Sequence, residues 1–174
     1  MRIAAFWVVC LLTIALYAVM VLWTLSAIAH DAGAPAFDMR PSGYSIAEAR
    51  AFLSTLSDEG RALYQGPQRW MDAVYPALLA ITAIWSSRWA ADGRWKWLFR
   101  SLAVFACLSM IGDYAENISV AVLLAQPTDA VTDAAIERAA FFTRFKSLFG
   151  TFAMTLWLVL LVMRGWRKLT VSRH

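Results

Sequence analysis

The sequence feature that most constrains the fold is a run of 27 uncharged residues from Ile3 to Ala29. A helix needs about 20 apolar residues to cross the hydrocarbon core of a bilayer, so this run is long enough to span it. A cleaved signal peptide is the alternative, because Arg2 precedes the run and Ala27 and Ala29 form an A-x-A motif. The apolar part of a signal peptide has only about 7–15 residues, so the length favours a retained span.

Three more apolar runs follow, and short polar stretches separate them. The chain is 60% apolar and only 16% charged over its 174 residues, which is typical of an integral membrane protein. Pro67 fits the first turn of a second helix, where a missing N–H breaks no intrahelical hydrogen bond. The sequence therefore predicts an all-α fold in one domain over residues 1–174, a four-helix transmembrane bundle with spans at about 3–29, 67–90, 98–125 and 141–163.

The basic residues predict the orientation, because cytoplasmic segments of membrane proteins retain Lys and Arg. Nine of them flank the spans on one side, against a single acid, Asp92. They are Arg2, Arg88, Arg94, Lys96, Arg100, Arg164, Arg167, Lys168 and Arg173. Both termini are therefore predicted to be cytoplasmic in a bacterial inner membrane, with residues 30–71 and 126–140 outside. The net charge of +4 is attributed to this topology, and no nucleic-acid partner is predicted.

Residues 30–71, here called the outer segment, have the pattern of one or two amphipathic helices at about 45–65. Ser45 and Glu48 form a capping box, and the apolar residues behind them recur at helical spacing. Ser57 is a second candidate N-cap, followed by two acids in the first turn. We expect the outer segment to lie on the outer membrane surface or to cap the bundle.

The third apolar run contains the sequence MIGDYAENIS, with two carboxylates where a span should be apolar. At about 1.5 Å per residue from Arg100, Asp113 lies about 20 Å and Glu116 about 24 Å up a hydrocarbon core of about 30 Å. The same count gives polar residues of the other spans similar heights, and residues three and four apart share a helix face. The predicted polar centre combines Tyr17, Asp72, Tyr75, Asp113, Glu116, Asn117, Arg144 and Thr151.

These polar side chains are predicted to face one another inside the bundle. An ionised carboxylate facing lipid costs several kcal/mol, whereas a paired or hydrated one costs much less. Arg144 is the predicted partner of Glu116, because a guanidinium can bind both oxygens of a carboxylate. If the centre is an active site, Asp113 and Glu116 are the candidate catalytic residues, one as general acid and the other as base or electrostatic stabiliser.

The sequence offers little support for metal or cofactor chemistry. The two histidines, His30 and His174, fall on opposite sides of the predicted membrane, which excludes a bis-imidazole haem or a zinc triad within one chain. Cys10 and Cys107 fall in apolar helices, where they are expected to be small packing residues. We find no phosphate-binding glycine loop, no G-x-S-x-G motif and no Ser/His/Asp set in the sequence. We therefore predict no metal and no cofactor.

Three functional hypotheses fit such a polar centre. In the first, it binds or transports a proton, a cation or a small amphiphile in a cavity open to the outer face. In the second, the protein is a membrane-embedded enzyme that acts on a lipid or isoprenoid by carboxyl acid–base chemistry. In the third, the centre is a structural ion-pair network that fixes helix register, in a homo-oligomer or a larger membrane assembly. The bilayer is a predicted partner in all three.

Several motifs resemble those of a set of small bacterial four-span inner-membrane proteins. FDMRPSGYS contains the pattern D-x-R-P-x-G-Y, and DYAEN is D-Y-x-E-N. This resemblance covers most of the chain; it implies a bacterial inner-membrane location and nothing about chemistry. The architecture is also similar to that of the EXPERA group, which includes sterol isomerases and the sigma-2 receptor. That similarity implies a lipid ligand or an isomerase activity, and it carries over no residue roles.

Overall fold

The computed structural model describes residues 2–171, and within them every regular element is a helix. The predicted all-α fold is therefore confirmed. Met1 and residues 172–174 lie outside the described residues. Arg173, one of the basic residues predicted to be cytoplasmic, and His174, one of the two histidines, thus lie outside them as well.

Within residues 2–171 the chain forms seven α-helices and three short helical segments. The α-helices are α1 (Arg2–Val19), α2 (Leu25–Ala32), α3 (Ile46–Thr55), α4 (Asp58–Leu63), α5 (Arg69–Ala91), α6 (Lys96–Leu124) and α7 (Asp133–Val171). The short segments are π-helices at Met20–Thr24 and Tyr64–Gln68 and a 3₁₀-helix at Phe37–Met39. Each π-helix joins two α-helices directly, so α1 continues into α2, and α4 continues into α5.

In the described part of the chain, three helices are long and apolar enough to cross a membrane. They extend over Ile3–Ala32, Lys96–Leu124 and Asp133–Thr170, which indicates a multi-pass membrane protein. The predicted span at 67–90 coincides with α5, a helix of 23 residues that is not among these three.

Helices α6 and α7 pack closely against each other over much of their length. A Cβ atom added to Gly112 of α6 would lie 2.7 Å from the Phe145 ring and 3.2 Å from the backbone of Lys146. Nearby, Gly150 of α7 lies beside Ser109, whose hydroxyl donates to the Lys146 carbonyl at 3.0 Å. Small residues at these two positions let the backbones approach, and this approach holds Lys146 against α6.

The outer segment packs against α2 and against the ends of α6 and α7 that adjoin the α6–α7 turn. Its predicted capping box is confirmed: the Ser45 N–H donates to Glu48 Oε2 at 2.7 Å, and the Glu48 N–H donates to Ser45 Oγ at 3.2 Å. Phe37, Phe52 and Tyr64 are buried against α2, the C-terminal end of α6 and the N-terminal end of α7. The largest hydrophobic cluster of the protein therefore lies under the outer segment.

Polar side chains fasten the outer segment to the ends of α6 and α7. Arg61 Nη1 and Gln65 Nε2 donate to the Leu124 carbonyl at 2.8 and 2.7 Å. Arg50 Nη2 donates to the Val131 carbonyl, just before α7, at 2.9 Å. The Leu124 carbonyl ends α6 and has no partner within its own helix, so these donors satisfy it.

Candidate functional site

A single lysine lies among three carboxylates where the outer segment meets α6 and α7. Lys146 Nζ is 3.1 Å from Asp113 Oδ1 and 3.8 Å from Asp38 Oδ1, and it forms an ion pair with Glu116 Oε2. The Glu116 side chain is fully buried, and that of Lys146 is 14% exposed. We call these four residues the charged centre.

The elements bring these four side chains together for local reasons. Asp113 and Glu116 are three residues apart on α6 and share one face. Lys146 lies opposite that face because Gly112 admits the α7 backbone. Asp38 comes from the 3₁₀-helix Phe37–Met39 of the outer segment. The buried ring of Phe37 holds this short helix in place.

Hydroxyl groups surround the charged centre. Thr143 Oγ1 donates to Glu116 Oε1 at 2.5 Å, and the Tyr64 hydroxyl donates to Asp38 Oδ2 at 2.7 Å. The Tyr44 hydroxyl is buried and has no hydrogen-bond partner among the described residues. Burial raises the pKa of both tyrosines, and the charge of Asp38 raises that of Tyr64 further, so both remain neutral hydroxyls.

Asp72 lies beside the charged centre, and amide side chains hold it in place. Gln68 Nε2 donates to both carboxylate oxygens of Asp72 at 2.9 Å, and Gln68 Oε1 accepts a hydrogen bond from Thr24 Oγ1. Asn117 Nδ2 donates to the Asp72 backbone carbonyl at 3.1 Å. Asp38 and Asp72 line one small pocket of about 10 Å³, close to the volume that a single water molecule needs.

The structure brings together only part of the predicted polar centre. Asp113 and Glu116 belong to the charged centre, and Asp72 and Asn117 adjoin it. Tyr17 and Tyr75 do meet each other, with their rings stacked at a centroid distance of 5.6 Å. Both tyrosines, however, line an apolar groove.

The predicted partner of Glu116 was wrong. Arg144 is exposed and forms no ion pair within the described residues, whereas Lys146 pairs with Glu116. Thr151 is also exposed, and its hydroxyl donates to the Ser147 carbonyl of its own helix at 2.7 Å. The predicted face of α7 was therefore rotated by one residue, or about 100°. An arginine near a membrane surface can extend to water, and a threonine can bond to its own backbone, so neither has to face inward.

Sequence reasoning missed Lys146, Asp38, Gln68 and Thr143. A signal for Lys146 was present, because Thr143 precedes it by three residues and Gly150 and Ala153 continue the same face as small residues. Asp38 lies in an irregular stretch of the outer segment, where no periodicity predicts the direction of a side chain.

A separate apolar groove of about 770 Å³ lies between α1, α5 and α7. Phe6 packs edge-on against Trp85, and Thr13 hydrogen-bonds Thr82 at 3.0 Å, so α1 is held along α5. The lining residues are Ile3, Phe6, Trp7, Cys10, Thr13, Ile14, Tyr17, Tyr75, Leu79, Thr82, Trp85, Ser86, Trp89, Trp157 and Leu161.

Comparison with protein-family models, curated proteins and solved structures found no match for this chain. Two features can carry chemistry: the charged centre under the outer segment, and the apolar groove on the opposite side of the Tyr17–Tyr75 pair.

Proposed function

We propose that this chain is a multi-pass membrane protein whose charged centre, together with Asp72, binds a proton near the outer membrane surface. The observation that carries the proposal is an imbalance of charge. The four carboxylates of Asp38, Asp72, Asp113 and Glu116 outnumber the nearby cations, and Lys146 is the one that pairs with them. Arg69 also lines the small pocket beside Asp38 and Asp72, but it is exposed and forms no ion pair within the described residues. Buried charges without a partner are strongly unfavourable, so part of these carboxylates should hold protons.

A proton fits this centre better than a metal ion. The ammonium group of Lys146 already occupies the point on which Asp38, Asp113 and Glu116 converge. Among residues 2–171, no set of three His, Cys, Asp or Glu side chains is arranged to bind a metal ion. A proton needs no such space, because it resides on a carboxylate oxygen.

The proposal links proton binding to the outer segment. Asp38 and Tyr64 belong to that segment, and Asp38 contacts the ammonium of Lys146. Protonation of a carboxylate weakens its attraction to the ammonium, so the proton content of the centre would alter how tightly the outer segment is held.

Infrared spectroscopy of the purified protein in nanodiscs tests the proposal. At neutral pH we expect a carboxylic-acid C=O band, which one of D72N, D113N and E116Q removes. Replacing Lys146 by Met should strengthen the band, because Asp38, Asp113 and Glu116 then lose the cation that they share. Asp129 is exposed and forms no ion pair within the described residues, so D129N is the matched control. Fully ionised carboxylates in the wild type, with no new band in K146M, would leave the centre a purely structural ion-pair network.

We also propose that α5 is a fourth span and that both termini are cytoplasmic in a bacterial inner membrane. At about 1.5 Å per residue, the 23 residues of α5 extend over about 34 Å, and α5 packs between α1 and α6. Alkaline phosphatase fused after Gly93 or at the C-terminus should be inactive, and phosphatase fused after Ala130 should be active. Activity after Gly93 would show that α5 does not cross the membrane.

The geometry does not favour a lipid-modifying enzyme. Such an enzyme needs a carboxyl group that a substrate can reach from the lipid, yet no carboxylate among residues 2–171 lines the apolar groove. A homo-oligomer or a larger membrane assembly stays a prediction.

A further inference from the structure

We propose that the apolar groove binds one anionic phospholipid, with an acyl chain along the groove and the phosphate at the end where α1 begins. The groove volume of about 770 Å³ falls within the range of about 300–1,000 Å³ that is usual for small-molecule sites. From Ile3 to Tyr17 it is about 21 Å long, at about 1.5 Å per residue. This exceeds the half-thickness of a hydrocarbon core of about 30 Å, so the groove can take a whole acyl chain.

The groove interior suits hydrocarbon, because its lining is mostly apolar and its threonine and serine hydroxyls are already paired. The Trp157 indole N–H donates to Ser86 Oγ at 2.7 Å, and the hydroxyls of Thr13 and Thr82 bond each other. The polar atoms of these side chains are thus already paired. Phe6 and Trp85, which contact each other edge-on, add apolar surface to the lining. The polar part of an amphiphile must therefore lie at an end of the groove.

Two cations lie at one end. The Arg164 guanidinium stacks over the ring of Trp89, which lines the groove, at 3.7 Å, and Lys168 Nζ lies 5.6 Å from the same ring. Neither forms an ion pair within residues 2–171. Arg164 Nη1 donates to the Trp89 carbonyl at 2.6 Å, and Arg164 Nε is buried without a hydrogen-bond partner among the described residues. By contrast, Arg167 pairs with Asp92 at 3.5 Å. An arginine and a lysine beside an apolar channel complement a phosphate attached to a hydrocarbon chain.

The opposite end of the groove is unfavourable for a phosphate. There Tyr17 and Tyr75 stack on each other, and Asp72 lies three residues before Tyr75 on α5. A phosphate at that end would be close to a carboxylate. The charges therefore favour a lipid whose phosphate lies at the other end, beside Arg164 and Lys168. This site is independent of the proton-binding proposal, because the two features share no residue.

Native mass spectrometry of the detergent-purified protein tests the proposal with two probes of equal chain length, phosphatidylglycerol and phosphatidylcholine. The attraction of two cations to an anionic headgroup corresponds to binding of phosphatidylglycerol about thirty-fold tighter than that of phosphatidylcholine. The double variant R164Q/K168Q should abolish the preference, whereas R167Q, on the same helix, should retain it. C10W places bulk in the groove and should reduce retention of both lipids at least tenfold. Cys107 is exposed on α6 outside the groove, so C107W is its matched control.

Several results would overturn the proposal. Equal retention of the two lipids, or a preference that survives R164Q/K168Q, would mean that the cations do not bind the phosphate. Retention unchanged in C10W would place the lipid outside the groove. A sterol, an isoprenoid or a second copy of the chain that displaces phosphatidylglycerol from the wild type but not from C10W would make that molecule the occupant.

Discussion

At the charged centre, one ammonium group determines whether several carboxylates can be buried. Glu116 is fully buried, and of its two oxygens Oε1 accepts a hydrogen bond from Thr143 while Oε2 faces Lys146. Removing one partner of a buried ion pair leaves the other charge uncompensated, which costs more than the pair itself contributes. Lys146 is therefore the most sensitive single position that the structure identifies.

We expect Lys146→Met to lower the free energy of unfolding by about 3–5 kcal/mol, the cost of breaking a buried ion pair. The neighbouring Arg144→Met is the control, because Arg144 is exposed; we expect a change of less than about 0.5 kcal/mol. Thermal unfolding in detergent, followed by circular dichroism, measures both. A larger loss in R144M than in K146M would contradict the pairing described here.

The shared face of Asp113 and Glu116 was predictable from the sequence, but their partner on α7 was not. Asp113 and Glu116 were expected on one face because they are three residues apart, and they do share one. The choice between Arg144 and Lys146 depends on the rotation of α7 about its axis. Steric packing at Gly112 sets that rotation, and hydropathy does not reveal it.

At the scale of elements, the fit between α6 and α7 depends on Gly112. We expect Gly112→Ala to destabilise the protein by about 1–3 kcal/mol, because the added methyl group would overlap the Phe145 ring and push α7 away. Gly165, in the same α7 helix, is the control, since an added Cβ there meets nothing. Gly165→Ala should stabilise the helix by up to about 1 kcal/mol, because alanine is the better helix former. Equal effects in thermal unfolding would show that the helices do not meet closely at Gly112.

The N-terminus of α3 should respond to pH through Glu48. The backbone N–H and then the hydroxyl of Ser45 lower the pKa of Glu48 below its ordinary value. The stabilisation is therefore present above the ordinary value of about 4.3 and is lost as the pH falls below it. Hydrogen exchange of the first-turn amides of α3, corrected for the intrinsic rate, should lose protection on acidification. In Glu48→Gln, which keeps the capping geometry but cannot titrate, protection should not depend on pH in this way.

At the scale of the whole molecule, the outer segment shares both the main hydrophobic core and the charged centre with helices α6 and α7. Phe37 and Phe52 supply the apolar contacts, and Asp38 supplies the charge that meets Lys146. The outer segment should therefore open as a unit when its charged contact is removed.

We expect Asp38→Asn to raise the rate of trypsin cleavage after Arg40 or Arg61 about tenfold. The substitution removes the charge that accepts the Tyr64 hydrogen bond and attracts Lys146, and a charged hydrogen bond is worth about 1.5–3 kcal/mol. Cleavage of a transiently opened segment follows the population of the open form. D129N, on the exposed turn between α6 and α7, should cleave at the wild-type rate. Unchanged cleavage in D38N would show that apolar packing alone holds the outer segment.

The sequence by itself determined the all-α fold, the long apolar helices, the Ser45–Glu48 capping box and the shared face of the two carboxylates in α6. These properties depend on local periodicity and on the fixed geometry of the helix, and both can be read from the order of the residues. Only the tertiary structure decided that Lys146 is the buried cation, that Asp38 reaches it and that α1 stands away from α7 to open a groove. Those outcomes depend on how helices rotate and how closely they approach, and contacts between residues distant in sequence set both.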